Sequence, residues 1–254
     1  MNNYELFKKL HYQDTPLLLG NVWNVASARI LEDNGIQALG TSSSAIADTL
    51  GYEDGERIPF SELLFVIGKI TRHVKLPLSA DIERGYSDDP AVVVKHIEQL
   101  HDIGVVGINL EDAVNRTIVP VEEFRRKLNF IRNELARKNI PLFINARTDT
   151  YLLKVPDALN ETLLRIKAYQ EAGADSIFVP FVRDLSDIRQ ITAATALPVN
   201  VLSMPELPSF NALAEAGVKR ISMGGSVYRS LNDHLKKVVY DIGVAGSFAG
   251  IFPS

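Results

Sequence analysis

No cysteine occurs among the 254 residues of this chain, and that absence removes disulfides, thiolate metal ligands and cysteine nucleophiles together. Long hydrophobic runs are missing as well. No stretch reaches the roughly 18 consecutive apolar residues of a membrane span, and the opening Met1-Asn2-Asn3-Tyr4-Glu5-Leu6-Phe7-Lys8-Lys9-Leu10 lacks the apolar core of a signal peptide. The expectation is a cytoplasmic protein that does not meet a membrane. An excess of cations is also absent: the formal net charge is −4, and no stripe of Lys and Arg alternates with aromatics, which argues against a nucleic-acid partner. Arg125-Arg126-Lys127 is an isolated cluster and reads as a solvated helix face. None of the five histidines, His11, His73, His96, His101 and His234, falls at the end of an apolar run. They are expected on helix surfaces, so a His-based triad or zinc site is not.

What is present is a repeating pattern. Eight apolar runs, residues 17–22, 36–41, 76–82, 105–111, 140–147, 176–181, 197–202 and 218–223, are mostly continuous rather than alternating, as strands covered on both faces should be. Amphipathic segments separate them, at 25–34, 59–74, 89–103, 121–138, 157–172, 185–194, 208–216 and 226–242. Four of these end in Gly35, Gly104, Gly173 and Gly217, where a left-handed residue closes a helix. Asp88-Asp89-Pro90 and Pro120-Val121-Glu122-Glu123 mark helix starts, through proline's fixed φ and the attraction of acids to the helix dipole. Eight βα units predict an α/β fold, a (β/α)8 TIM barrel forming one domain over residues 1–254, with an open doubly wound sheet as the alternative. Residues 42–58 form the longest irregular stretch and are expected to be functional or mobile. The apolar tail 243–254 is expected to cover the barrel bottom or to pack on another subunit.

Chemistry-bearing side chains collect where strands end, which in a parallel barrel is one open face. Asp81 and Glu83 are two residues apart after the third strand, hence on one side of an extended segment, and Glu111 closes the fourth. Carboxylates brought together repel and raise one another's pKa unless a cation neutralises them. Oxygen ligands of this kind suit Mg2+ or Mn2+. Solvated acids, or ion pairs with Arg84 and Arg147, are the plainer alternative. Arg147, at the end of the fifth strand, has the planar fork to bind a substrate carboxylate, or else a structural salt bridge to Glu111 or Asp149. Ser42 and Ser43 offer hydroxyls to an anion, although turns use serines for their own bonding. Ser222-Met223-Gly224-Gly225-Ser226 resembles a phosphate-binding turn and equally a tight strand-to-helix turn. Trp23 and Asn200 complete the substrate-binding candidates, core packing being the plainer role for Trp23.

Taken together these motifs carry a resemblance. Asn21-Val22-Trp23-Asn24-Val25-Ala26-Ser27-Ala28-Arg29, Thr41-Ser42-Ser43, Leu50-Gly51-Tyr52-Glu53-Asp54, Asp81-Ile82-Glu83-Arg84-Gly85-Tyr86, Gly107-Ile108-Asn109-Leu110-Glu111-Asp112, Asn145-Ala146-Arg147-Thr148-Asp149 and Lys219-Arg220-Ile221-Ser222-Met223-Gly224-Gly225 resemble, in order and spacing, the isocitrate lyase/phosphoenolpyruvate mutase superfamily. The resemblance implies a homo-oligomeric barrel, a dimer or tetramer, with helix 226–242 exchanged between subunits. It implies Mg2+ on the 2-oxo and carboxylate oxygens of a pyruvyl group, Asp81 at the metal, Glu83 and Glu111 on its waters, and Ser42 and Ser43 on the carboxylate. Asp54 would steady the site and Arg147 would face the substrate.

Two departures narrow the implied reaction. Glu83 stands where Asp is usual. The fourth loop, Ala113 to Pro120, lacks the cysteine motif of isocitrate and methylisocitrate lyases and the longer Lys/Asn gating loop of the mutases, leaving Asn115, Arg116 and Thr117 as partial substitutes. The sequence therefore predicts a Mg2+-dependent lyase or decarboxylase acting beside a 2-oxoacid, with C–P bond mutase or hydrolase chemistry on a phosphonate as one alternative and a noncatalytic 2-oxoacid binder as another.

Overall fold

Strand β1, Leu17–Val22, pairs in parallel with both β2, Leu39–Thr41, and the last strand of the chain, β10, Arg220–Ser222, and that double pairing closes the sheet. In this computed structural model, which describes residues 1–252, the strands run β1-β10-β9-β8-β7-β4-β3-β2 around an eight-stranded parallel barrel. The remaining members are β3 Leu78–Asp81, β4 Val105–Glu111, β7 Phe143–Arg147, β8 Ser176–Val179 and β9 Val199–Leu202. Helices α2 Val25–Asp33, α4 Phe60–Thr71, α5 Pro90–Asp102, α6 Val121–Arg137, α7 Ala158–Glu171, α8 Leu185–Ala193, α9 Phe210–Glu215 and α10 Ser226–Ala245 follow the barrel strands in turn. The open doubly wound alternative is thereby excluded.

Local sequence explains the joins. Asn24 accepts from Ser27 N at 2.8 Å to start α2, and Asp89 accepts from Ala91 N at 2.9 Å with Pro90 at the first helical position of α5. Gly35, Gly104, Gly173 and Gly217 all take positive φ where helices give way to strands.

Three segments differ from the sequence expectation. Inside the stretch 42–58 lies a short helix, α3 Ser43–Thr49, begun by Ser42 and anchored by buried Ala45, Ile46 and Ala47. Residues 113–118 form a small hairpin, β5 Ala113–Val114 and β6 Thr117–Ile118. The tail does not cover the barrel bottom: α10 continues into it, a 3-10 turn at Ala249–Ile251 follows, and Phe248, Ile251 and Phe252 are exposed. Residues 253–254 of that tail lie outside the described residues.

The bottom is closed instead by α1, Asn3–Leu10, whose Phe7 and Leu10 pack with Leu17, Leu19, Ala38, Val106 and Phe143 at the strands' N-terminal ends. Gly107 makes room for this plug, since a β-carbon there would lie 3.0 Å from Phe7 Cε1 and 3.1 Å from the Phe143 carbonyl. His11, at the end of α1, is completely buried, correcting its expected surface position. It stacks on Phe143 at 4.3 Å between centroids, and its Nδ1 bonds the Phe7 carbonyl at 2.8 Å.

Candidate active site

With one end plugged, the strands' C-terminal ends are left to form a cavity of about 540 Å3. Ser43, Asp54, Glu83, Glu111, Asn115 and Arg147 all line it. Asp81, at the end of β3, stands behind this lining and touches it, accepting from Ser43 Oγ at 3.1 Å and from Glu83 N at 3.4 Å. Glu111 N in turn donates to the Glu83 carbonyl at 2.8 Å. The three acids named from the sequence thus share one corner, linked through the N–H groups of Glu83 and Glu111.

Their electrostatics are unbalanced. Glu83 is 5% exposed and its Oε1 has no hydrogen-bond partner. Burial first, then the charges of Asp81, Glu111, Asp54 and Glu56, push its pKa up to about 9. Burial also raises Asp81, against the pull of Arg147 and the Ser43 hydrogen bond. Glu111 rises for the same reason although Arg147 Nη1 stands 2.8 Å from its Oε2, because burial, Asp149, Asp81 and Asp112 together outweigh that one cation.

Arg147 makes the salt bridges that the sequence offered as one of its two alternatives. It is paired with Glu111 and, through Nε at 2.6 Å and Nη2 at 2.9 Å, with Asp149, and it also lines the cavity. Asp149 is held from behind: its N–H donates to Asp112 Oδ1 at 3.1 Å, and Asp112 Oδ2 accepts from Arg165 at 3.0 Å and from the Tyr169 hydroxyl at 2.5 Å. The guanidinium is therefore fixed by two acids, one of them anchored in the buried wall.

Other candidates stand away from the lining. Ser42 caps α3, its Oγ accepting from Ala45 N at 3.4 Å. Trp23 is in the core, edge-on to Tyr228 at 5.1 Å. Asn200 is wholly buried inside the barrel, where its Oδ1 accepts from Ser222 Oγ at 3.1 Å. The diglycine after β10 forms a tight strand-to-helix turn: Gly224 has φ 54° and donates to Asn21 Oδ1 at 2.8 Å.

Glu56 and Arg57 had no signal in the sequence, and Arg220 had none beyond its place in a motif of the resemblance. Glu56, half-buried, accepts from Arg84 N at 3.1 Å and Tyr86 N at 2.6 Å, clamping the turn that carries Glu83. Arg57 also lines the cavity. Arg220 is fully buried in the barrel, donating to Ser222 Oγ at 3.0 Å and Asn109 Oδ1 at 3.3 Å, with Nη1 unpartnered. Burial lowers its pKa to about 9, which leaves it cationic at neutral pH.

Among the described residues no three acids or histidines form a ready-made cage. Mg2+ does not require one, since it commonly keeps several waters and takes one or two carboxylates. Buried carboxylates that repel each other, one with an orphaned oxygen, fit that mode of binding.

Comparison with known proteins follows the same lines. The family model for phosphoenolpyruvate phosphomutase matches residues 7–242. An uncharacterised protein of Mycobacterium tuberculosis is 33% identical over 222 residues, 87% of this chain and 83% of that protein. An oxaloacetate decarboxylase of Ectopseudomonas mendocina is 30% identical over 222 residues, 82% of this chain and 73% of its own length. Among solved structures, a candidate phosphonomutase from Burkholderia cenocepacia is 37% identical, with a TM-score of 0.89 over 94% of this chain and 99% of that one. A phosphonopyruvate hydrolase in complex with oxalate and Mg2+ is similar in fold, with a TM-score of 0.87 at 21% identity, covering 100% of this chain and 92% of its own.

Proposed function

The chain belongs to the phosphoenolpyruvate phosphomutase family, and on that premise we propose that it is a Mg2+- or Mn2+-dependent lyase that breaks a C–C bond beside a 2-oxoacid. The observation that carries this reading is the corner where Asp81, Glu83 and Glu111 are drawn together with the Glu83 Oε1 left unpartnered. Asp81 would hold the ion, with Glu83 and Glu111 on its waters. When bound, a divalent cation supplies positive charge to the enolate oxygen that develops as the bond to C3 breaks.

The protein's own residues supply the rest. Ser43, hydrogen-bonded to Asp81, brings a hydroxyl to the substrate carboxylate. Arg147, fixed by Glu111 and Asp149, presents an already oriented guanidinium to the substrate, so little rotamer entropy is lost on binding. Asn115 brings an amide to the mouth, and Leu152 and Leu153 provide a wall that excludes water from the enolate.

Decarboxylation is favoured within the lyase class because the chain has no cysteine to act as acid/base. The C3–C4 electron pair of a substrate such as oxaloacetate passes to C3, carbon dioxide leaves without a proton, and water can protonate the pyruvate enolate. The oxaloacetate decarboxylase of Ectopseudomonas mendocina, 30% identical to this chain, supports the choice. The second reading, C–P chemistry on phosphonopyruvate, is supported by the 37% identical candidate phosphonomutase.

Turnover separates the readings. Pyruvate release is expected from oxaloacetate or a dialkylmalate in excess of a control containing Mg2+ without enzyme. A phosphorus NMR change with phosphonopyruvate would favour the second reading. No turnover of any of the three would leave a noncatalytic 2-oxoacid binder.

A further inference from the structure

The cavity has an acidic corner and, apart from it, cations with no acid of their own. Four guanidiniums line it: Arg57, Arg84, Arg116 and Arg147. Arg147 is taken up by Glu111 and Asp149, and Arg84 by Asp88. Arg57 and Arg116 have no carboxylate within ion-pair distance among the described residues; each is exposed, and they come from separate segments, the loop after α3 and the β5–β6 hairpin. Glu53 and Asp54 share the rim but are not bonded to either arginine.

Arg116 occupies an unusual place. The hairpin pairs Val114 with Thr117, leaving Asn115 and Arg116 as a two-residue turn with φ 47° and 61°. Such primed turns want two left-handed residues, which suits Asn followed by Gly. A long side chain at the second position is strained, and strain of this kind gathers at ligand-binding sites. Ala113, Leu152 and Leu153 add apolar wall to the same cavity. The cavity is far larger than a pyruvyl group needs, so there is room for a ligand that extends from the acidic corner past the leucines.

We propose that Arg57 and Arg116 form a second anion subsite at the cavity mouth, which selects 2-oxoacids carrying a carboxylate or phosphonate at the end remote from the oxo group. This rests on the reading of the acidic corner as the cation and 2-oxoacid site. The hairpin is then a short specificity element that holds Arg116 in place by two strand pairings.

Two matched ligand pairs test it by calorimetry in the presence of Mg2+. 2-Oxoglutarate and 2-oxopentanoate differ only in whether the far end is a carboxylate or a methyl group, and phosphonopyruvate and 2-oxobutanoate probe the phosphonate source in the same way. The wild-type protein is expected to bind at least one anionic-ended member tenfold or more tightly than its neutral partner, the pair that shows it naming the preferred anion. Arg116→Gly, which keeps the left-handed turn and relieves its strain, and Arg57→Ala should each reduce that ratio about fivefold, with oxalate affinity unchanged. Arg116→Lys should restore part of it. Oxalate binding with no preference in either pair, or a preference that survives the double variant, overturns the subsite alone. Failure of oxalate to bind with Mg2+ overturns the reading of the acidic corner, and the subsite with it.

Discussion

Glu83 carries two penalties at once, a left-handed backbone at φ 51° and a buried carboxylate oxygen without a partner. A residue held this way for packing alone would be costly, since each feature opposes folding by about 1–3 kcal/mol. A cation held here, as proposed above, would give the carboxylate the partner it lacks. The strand ends that carry Asp81 and Glu111 were legible in the sequence, but the extended segment expected to align Glu83 with Asp81 is not there: β3 stops at Asp81, and Glu83 reaches the corner from a left-handed turn. Trp23 and Asn200 show the limit of that logic: closeness to a strand end, or an amide inside a strand, does not tell which layer of the barrel a side chain enters. His11 shows it from the other side, since nothing local reveals that α1 turns under the barrel. Its pKa is lowered to about 3 by burial first and by Arg220 second, against an ordinary 6.5. Above pH 6.5 the ring is neutral in both states; below it the unfolded chain takes up a proton that the native state refuses, so stability falls as pH falls toward 3. Between pH 6.5 and 5 this costs about 2 kcal/mol. Urea unfolding at those two pH values should show that much less acid sensitivity in His11→Gln, whose amide can still donate to the Phe7 carbonyl. An unchanged difference would mean the buried ring is not responsible.

At the scale of elements, strands and helices followed from apolar periodicity and from capping residues, and the residues that differ lie at their ends. The expected strand 36–41, for example, begins only at Leu39, since Ile36 and Gln37 are still crossing from α2 into the barrel. Loops were the blind spot, and for a physical reason: their form depends on tertiary hydrogen bonds. Glu56 is the clearest case. Its carboxylate holds the Arg84 and Tyr86 N–H groups from a loop nearly thirty residues earlier, and Glu56 and Tyr86 themselves have φ near 60°. Losing both charge-assisted bonds in Glu56→Ala should destabilise the protein by about 2–4 kcal/mol. Amide exchange at residues 83–86 should speed up while the α7–β8 region keeps its protection. Uniform loss across the barrel, or no loss at 83–86, would remove Glu56 from the role of clamp.

For the whole molecule, repetition of one helix-glycine-strand phrase was enough to anticipate a closed barrel, and length was enough to anticipate one domain. Helix α10 has no buried residue; Val227, Leu231, Leu235 and Val239, four residues apart, make an exposed apolar stripe along it. A stripe of that size on one helix favours association, and we propose that a second copy of the chain covers it, in line with the helix exchange the family resemblance implies. Leu235→Glu should lower the mass measured by light scattering to that of a smaller assembly. A wild-type protein that is already monomeric would contradict this.

A divalent cation held where Asp81, Glu83 and Glu111 converge would take up the charge of a pyruvate enolate. Calorimetric titration with oxalate, which has the shape and charge of that enolate, tests it most directly. Binding is expected in Mg2+, lost in EDTA, and lost in Asp81→Asn even with Mg2+ present. Equal oxalate affinity with and without the metal would contradict the account.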